Sequence, residues 1–271
     1  MKVEGSVGLV TGGSSGLGMG VARSLLERGG RVAVLDQNLD GAGTLVDQYG
    51  DSVSCHQCDV TDTEQVEDSV SSAVQVHGRL DLLVSCAGIS VGKRVISRDG
   101  EPHPLDHFKK HIDINLVGLF DVVRNVVASM AKNEPSEEGE RGLIVNLASI
   151  AAFEGQIGQA SYGASKAGVI GLTSPLARDL GLLGVRVLSI CPGTMDTPML
   201  DTLNQATIDS IVSGNVFPKR LGRPDDVGNL VVHCMDCLLY TSDAADERSS
   251  EDLGGRRIKK KKKGGGGGGG G

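Results

Sequence analysis

Val7-Gly8-Leu9-Val10-Thr11-Gly12-Gly13-Ser14-Ser15-Gly16-Leu17-Gly18 decides how the rest of this 271-residue chain is read. Val7–Val10 is a short apolar run of the kind a buried strand requires. Behind the glycines, Val21, Ala22, Leu25 and Leu26 recur at helical spacing until Gly29-Gly30 stops them. Strand, glycine turn and helix in that order form the context of a dinucleotide fingerprint. Gly12, Gly16 and Gly18 let the backbone turn tightly and approach a pyrophosphate, whose charge the free N–H groups of a helix start bind. Ser14, Ser15 and Leu17 line that turn. Arg31-Val32-Ala33-Val34-Leu35 then reads as a second strand, ending in Asp36. A carboxylate there accepts both hydroxyls of an adenosine ribose and repels a 2′-phosphate. Gln37 and Asn38 follow and supply no cation, so the expected cofactor is NAD.

Working outward, apolar runs near 7–11, 31–35, 53–58, 80–84, 142–147 and 185–190 alternate with helical patterns. Alternating βα units imply an α/β doubly wound parallel sheet, helices on both faces and ligands beyond the carboxyl ends of the strands. Leu105–Lys132 reads as one long helix. The polar connection 89–104 is long for an idle loop, and we read it as a substrate-side rim. Segment 194–220 carries Met195, Met199, Leu200, Leu203, Ile208, Ile211, Val212 and Phe217. Those residues suit a lid over an acyl chain or a steroid, or a helix packed on its own core.

A second constellation lies downstream. Ser149 follows a strand end, and Tyr162 and Lys166 stand four apart in a helical stretch, which places them on one face. A free phenol titrates near pH ~10. An ammonium beside it favours the phenolate and makes tyrosine an acid or base of use near neutral pH. Ser149 can hydrogen-bond the oxygen whose proton moves. With a nicotinamide nearby, these groups take the proton of an alcohol as its hydride leaves.

Thr11-Gly12-x3-Gly16-x-Gly18, Asp59-Val60, Asn115, Ser149, Tyr162-x3-Lys166 and Pro192-Gly193 together resemble the short-chain dehydrogenase/reductase family over about residues 5–236. The resemblance implies a Rossmann-like fold. Asn133-Glu134-Pro135, Arg141-Gly142, Ala151 to Ala160 and Phe217-Pro218-x-Arg220-Leu221-Gly222 are similar to loops of the branch that oxidises 3-hydroxyacyl-CoA and hydroxysteroids. It implies that Asp59 and Val60 contact adenine, and that Cys86, Ala87 and Gly88 give backbone contacts to the cofactor. Asn115 kinks the long helix, its side chain anchoring a water that leads to Lys166. Lys166 holds the nicotinamide ribose, while Pro192, Gly193, Met195 and Thr197 form the turn beside the nicotinamide. The substrate, an acyl-CoA or steroid alcohol, meets Ser149 and Tyr162. Where the family has asparagine before Cys86, this chain has Ser85, which reaches less far but can still hydrogen-bond. Two functional classes follow: an NAD-dependent dehydrogenase of secondary alcohols, or a non-catalytic scaffold, since the branch is associated with mitochondrial RNA-processing partners. An intact Asn-Ser-Tyr-Lys set favours the enzyme.

From Cys237 the composition changes, ending in five lysines and eight glycines. Poly-A and poly-G encode such runs, and the preceding string resembles a translated sequencing adaptor. We expect 1–236 to be the single catalytic domain and 237–271 a disordered, non-native read-through. On that reading the family's final strand is missing, together with the segment that assembles its homotetramer. The whole chain carries a formal charge of −7; without the tail, which holds five acids and eight bases, it is −10. An acidic body argues against nucleic acid as a partner. Cys55-x2-Cys58 and Cys234-x2-Cys237 lie too far apart for a zinc ribbon. They read as free thiols, so no metal is expected, and a reducing compartment is. No apolar run is long enough for a membrane span and no targeting peptide is visible. The expected location is the cytoplasm, with the mitochondrial matrix as the alternative. Resequencing the locus tests the tail: the coding frame is expected to depart from it near Asp236, and an uninterrupted genomic frame through Gly271 would overturn that reading.

Overall fold

Six strands stand where the apolar runs predict them: β1 (Val7–Thr11), β2 (Arg31–Asp36), β3 (Val53–Gln57), β4 (Leu82–Ser85), β5 (Gly142–Leu147) and β6 (Val185–Ile190). The computed structural model describes residues 1–201 and 204–237, so Leu203 and the expected read-through beyond Cys237 lie outside the described residues. Helices α1 (Gly16–Leu26), α2 (Gly43–Tyr49), α3 (Thr63–His77), α4 (Leu105–Ile112), α5 (Leu119–Met130), α6 (Ala160–Gly181), α7 (Gln205–Gly214) and α8 (Pro224–Asp236) connect or follow them. The sheet is parallel throughout, in the order β3-β2-β1-β4-β5-β6. This is the doubly wound, Rossmann-like α/β arrangement.

Period-2 alternation splits the core in two. Leu9, Leu35, Leu83 and Ile144 pack with Val66, Val122 and Val169 from α3, α5 and α6. Their strand neighbours Val10, Val34, Leu82 and Val145 pack on the other face with Leu25, Leu45 and Val231 from α1, α2 and α8. Strands apolar on both sides therefore require helices on both sides. Local signals agree: the Asp62 carboxylate accepts the N–H groups of Glu64 and Gln65 at the start of α3, and Gly78 ends it with φ +84°.

Two boundaries differ from expectation. β4 begins at Leu82 because Asp81 is occupied by β1, accepting from Val7 N at 2.9 Å through Oδ2. The long helix runs without interruption but ends at Met130 and not Lys132. A π turn, Asp113–Gly118, lies between α4 and α5 and carries Asn115, the residue expected to distort it. π turns within α-helices are frequent at functional sites.

The outer side of β6 has no strand partner among the described residues. Arg186, buried on β6, donates to Glu140 at 2.6 Å and to the carbonyl oxygens of Cys234 and Met235 at the end of α8. Removing one member of a buried pair strands the other charge. We therefore expect Glu140→Leu to destabilise the fold by roughly 3 kcal/mol in urea unfolding, and an unchanged midpoint would contradict this.

Candidate active site

All the singled-out residues fall at the carboxyl end of the sheet, around the point where the strand order reverses between β1 and β4. There Thr11 Oγ accepts the backbone N–H groups of Cys86 and Ala87, each at 3.1 Å. This joins the glycine turn to the loop after β4. Gly12 has φ +63°, and a Cβ on it would lie 2.9 Å from Ala87 N. A Cβ on Gly18 would collide with the carbonyl oxygen of Gly12. Only glycine permits this cradle. Inside it, Ser14 Oγ is buried without a hydrogen-bond partner, and Ser15 precedes the first turn of α1 with Gly16 and Leu17. Asp36 accepts from Ser14 N at 3.1 Å and from Asn38 N at 3.2 Å.

Next to Asp36, Asp59 follows β3. Thr61 donates its backbone N–H at 2.9 Å and its hydroxyl at 2.7 Å to Asp59 Oδ1. The Thr61 amide first, and its hydroxyl and the Gln37 side chain after it, hold that carboxyl below its ordinary value. Val60 is buried against Gly118 of the π turn. On the opposite rim, Pro192 O accepts from Ile150 N at 3.0 Å, linking the turn after β6 to the residue after Ser149. Gly193 leads on to Met195, which bridges Gly222. Thr197 packs over Gly16 of the glycine turn, where an added Cβ would lie 3.4 Å from the threonine side chain.

The reacting groups are held from three elements. Ser149 ends the β5 connection and accepts from Ala151 N at 3.1 Å. Tyr162 and Lys166 share one face of α6, with Nζ 5.9 Å from the phenol centroid. Lys166 Nζ is buried and donates to Leu147 O at 2.7 Å, which leaves N–H donors for hydroxyls beside it. Asn115, fully buried, binds both backbone groups of Ile89, at 2.8 and 3.0 Å, and donates to Ser165 Oγ at 2.9 Å. Both of its N–H donors are thereby used, so a second lone pair on Oδ1 is what its side chain offers a water. A Cβ on Gly88 would lie 3.0 Å from that Oδ1 and 3.5 Å from Lys166 Nζ.

Two expectations change. Lys166 alone does not bring Tyr162 toward neutral pH: burial raises the phenol above its ordinary value, and a hydrogen bond with Ser149 only partly opposes this. The ammonium is aimed at Leu147 O and is itself penalised by burial. Ser85 does not keep the hydrogen bond its hydroxyl allows. It lies in register with Thr11 and Asn146, yet that buried hydroxyl has no partner. Neither side-chain amide atom of Asn146 has one either.

Sequence reasoning missed Thr11 as a site residue, although it stands in the quoted motif. It also missed that the connection 89–104 folds back on itself, with Ile96 bridging Pro102, and that Lys93 N is bonded to Gly158 O. Segment 194–220 places α7 at the surface, over a cavity of about 520 Å³ lined by Asp196, Ile208, Val212, Lys219 and Arg220 among others. Ser149, Tyr162 and Lys166 are not among its lining residues.

Burial lowers Lys166 from its ordinary 10.5 to about 8. The unfolded chain then holds this proton more tightly than the folded one. The stability penalty is complete below pH 8 and disappears as pH rises past the unfolded value. We expect Lys166→Met to raise stability at pH 7 by about 1 kcal/mol, the loss of a donor to Leu147 O offsetting part of the gain. That advantage should shrink toward pH 10 in matched thermal melts.

The short chain dehydrogenase family profile matches residues 6–208. The chain is 43% identical over 232 residues to "3-hydroxyacyl-CoA dehydrogenase type-2" of Bos taurus, covering 85% of this chain and 88% of that one. The Homo sapiens protein of the same name is 41% identical over 231 residues, with the same coverages. A crystal structure of 3-hydroxyacyl-CoA dehydrogenase type-2 from Mycobacterium avium superposes with a TM-score of 0.79 at 41% identity, covering 83% of this chain and 88% of that one. Together with the glycine cradle and the Ser149, Tyr162 and Lys166 cluster, these matches place the chain in the short-chain dehydrogenase family, whose members are nicotinamide-dependent oxidoreductases acting on small-molecule alcohols and ketones.

Proposed function

We propose that the protein is an NAD-dependent dehydrogenase that oxidises a 3-hydroxyacyl-CoA to the 3-oxoacyl-CoA. The observation that carries the reading is the approach of Lys166 Nζ and Asn115 Oδ1 to Gly88, beside a glycine cradle whose Ser14 N–H is held by Asp36. The names of its relatives support the acyl-CoA assignment. A hydroxysteroid or another secondary alcohol is the runner-up within the same chemistry. The scaffold reading is weaker, because an intact Ser149, Tyr162, Lys166 and Asn115 set has no use in it.

The residues fit a nicotinamide dinucleotide. Ser14 Oγ is a buried hydroxyl awaiting a partner, the cradle admits backbone next to a phosphate, and Lys166 has donors to spare. A bound nicotinamide would supply the acceptor for the hydride of the carbinol carbon. Asp36 takes the adenosine ribose hydroxyls, and its charge disfavours the 2′-phosphate of NADP. Ser149 Oγ donates to the substrate oxygen. Tyr162, as the phenolate that the Lys166 ammonium stabilises, takes the hydroxyl proton at Oη and becomes the phenol, and that proton leaves toward solvent by way of Lys166 and Asn115. Burial holds this phenol above its ordinary value, so a bound cationic nicotinamide would supply further stabilisation of the phenolate. We assign catalysis to Met1–Asp236 and infer a reducing setting, the cytoplasm or alternatively the mitochondrial matrix, with a homotetramer where the family's C-terminal segment is present.

Purified protein should reduce NAD, read at the NADH absorbance band, with a panel of 3-hydroxyacyl-CoAs. No turnover across acyl-CoAs and hydroxysteroids, despite NADH binding, would overturn the enzyme reading. Tyr162→Phe should lower kcat by about 10²–10⁴ and leave NADH binding intact. Asp36→Ala should raise KM for NAD by roughly tenfold or more, through lost charge-assisted hydrogen bonds, and narrow the preference over NADP.

A further inference from the structure

Two histidines of α4, His107 and His111, and His103 just before the helix form a column. His103 Nδ1 lies 3.2 Å from Arg94 O, a carbonyl that can only accept, so Nδ1 carries the proton and Nε2 is an acceptor. His107 Nδ1 stands 3.1 Å from that Nε2 and is therefore the donor. His111 Nδ1 donates to His107 O at 2.9 Å, and His111 Nε2 accepts the backbone N–H of Val91 at 3.1 Å. These tautomers are assigned from the bonding pattern. The rings touch edge-on and tilted, with centroids 4.8 and 4.6 Å apart. His111 is only 1% exposed.

Position 111 matters because Asn115 sits one helical turn further on. The two side chains face the same way and grip consecutive stretches of one strand exit: Asn115 both groups of Ile89, His111 the amide of Val91. That segment continues directly from Gly88, where an added Cβ would lie 3.5 Å from Lys166 Nζ. We propose that His111 is a positioning residue for the oxidoreductase reaction. It fixes the Gly88–Val91 backbone against the Lys166 ammonium by accepting the Val91 amide, and His107 and His103 fix its ring. The inference rests on the dehydrogenase reading, but not on the choice of alcohol.

The test compares His111→Gln, whose Oε1 can reach the Val91 amide, with His111→Asn, which is too short. Turnover is measured on whichever secondary alcohol the wild type oxidises, so an error in the acyl-CoA assignment leaves it intact. The Asn variant is expected to lose on the order of tenfold in kcat, as small misplacements of reacting groups do, with the NADH dissociation constant within about threefold of wild type. The Gln variant is expected to recover most of the loss. Amide hydrogen exchange supplies a readout independent of turnover: a peptide spanning 88–92 should exchange faster in the Asn variant and not in the Gln variant. Equal kcat in the two variants, or equal exchange, would overturn the proposal.

Discussion

Lys166 keeps a charged ammonium inside the protein with one carbonyl, Leu147 O, at 2.7 Å, and the rest of the site is arranged around that burden. Leu147 closes β5, so the strand end supplies the acceptor. Asn115 donates to Ser165, whose hydroxyl donates in turn to Tyr162 O at 2.8 Å. This short chain ties α6 to the π turn and holds the lysine's helix in place. The neighbouring Cys86 thiol is pushed up to about 12 by burial and stays neutral, so it gives the ammonium no ion partner. The charge is kept for function and not for stability, which accords with the general weakness of buried charges as stabilisers.

The second constraint is topological. Strands that are apolar on both faces leave the sheet's carboxyl end as the place where polar groups from distant segments can meet. Asp36, Asp59, Gly88, Ser149 and Pro192 come from five different strand ends and share no local sequence. Thr11 links the end of β1 to the end of β4 through a single hydroxyl. The turn and the loop after β4 therefore act as one support for whatever lies across them.

Much of this is legible in the chain. The strands can be read because period and apolarity are local properties, and the glycine turn because its spacing is a backbone requirement. Tyr162 and Lys166 can be paired because an i,i+4 relation needs no tertiary knowledge. What escapes depends on contacts across the fold. The π turn is not visible in the periodicity of 105–132, since its cause is the grip of Asn115 on Ile89, 26 residues away. The rise of the Tyr162 phenol requires its burial, which spacing does not report. The idle hydroxyl of Ser85 requires the geometry of two neighbouring strands. His107 and His111 show only as scattered histidines until the Val91 amide and the Arg94 carbonyl give the column something to hold.

The pairing of β1 with β4 has a consequence for the birth of the molecule. The two strands are about 75 positions apart, with β2 and β3 added outside them. During synthesis, the glycine turn has no floor until Ser85 to Ala87 have emerged, and Lys166 has no acceptor until β5 is laid down. Loop closure over such separations is the slow part of assembling a parallel sheet. Recovery of catalytic turnover after denaturation is therefore a report on closure of β1, β4 and β5 side by side, because Thr11 and the Lys166 acceptor are brought together only across those strands.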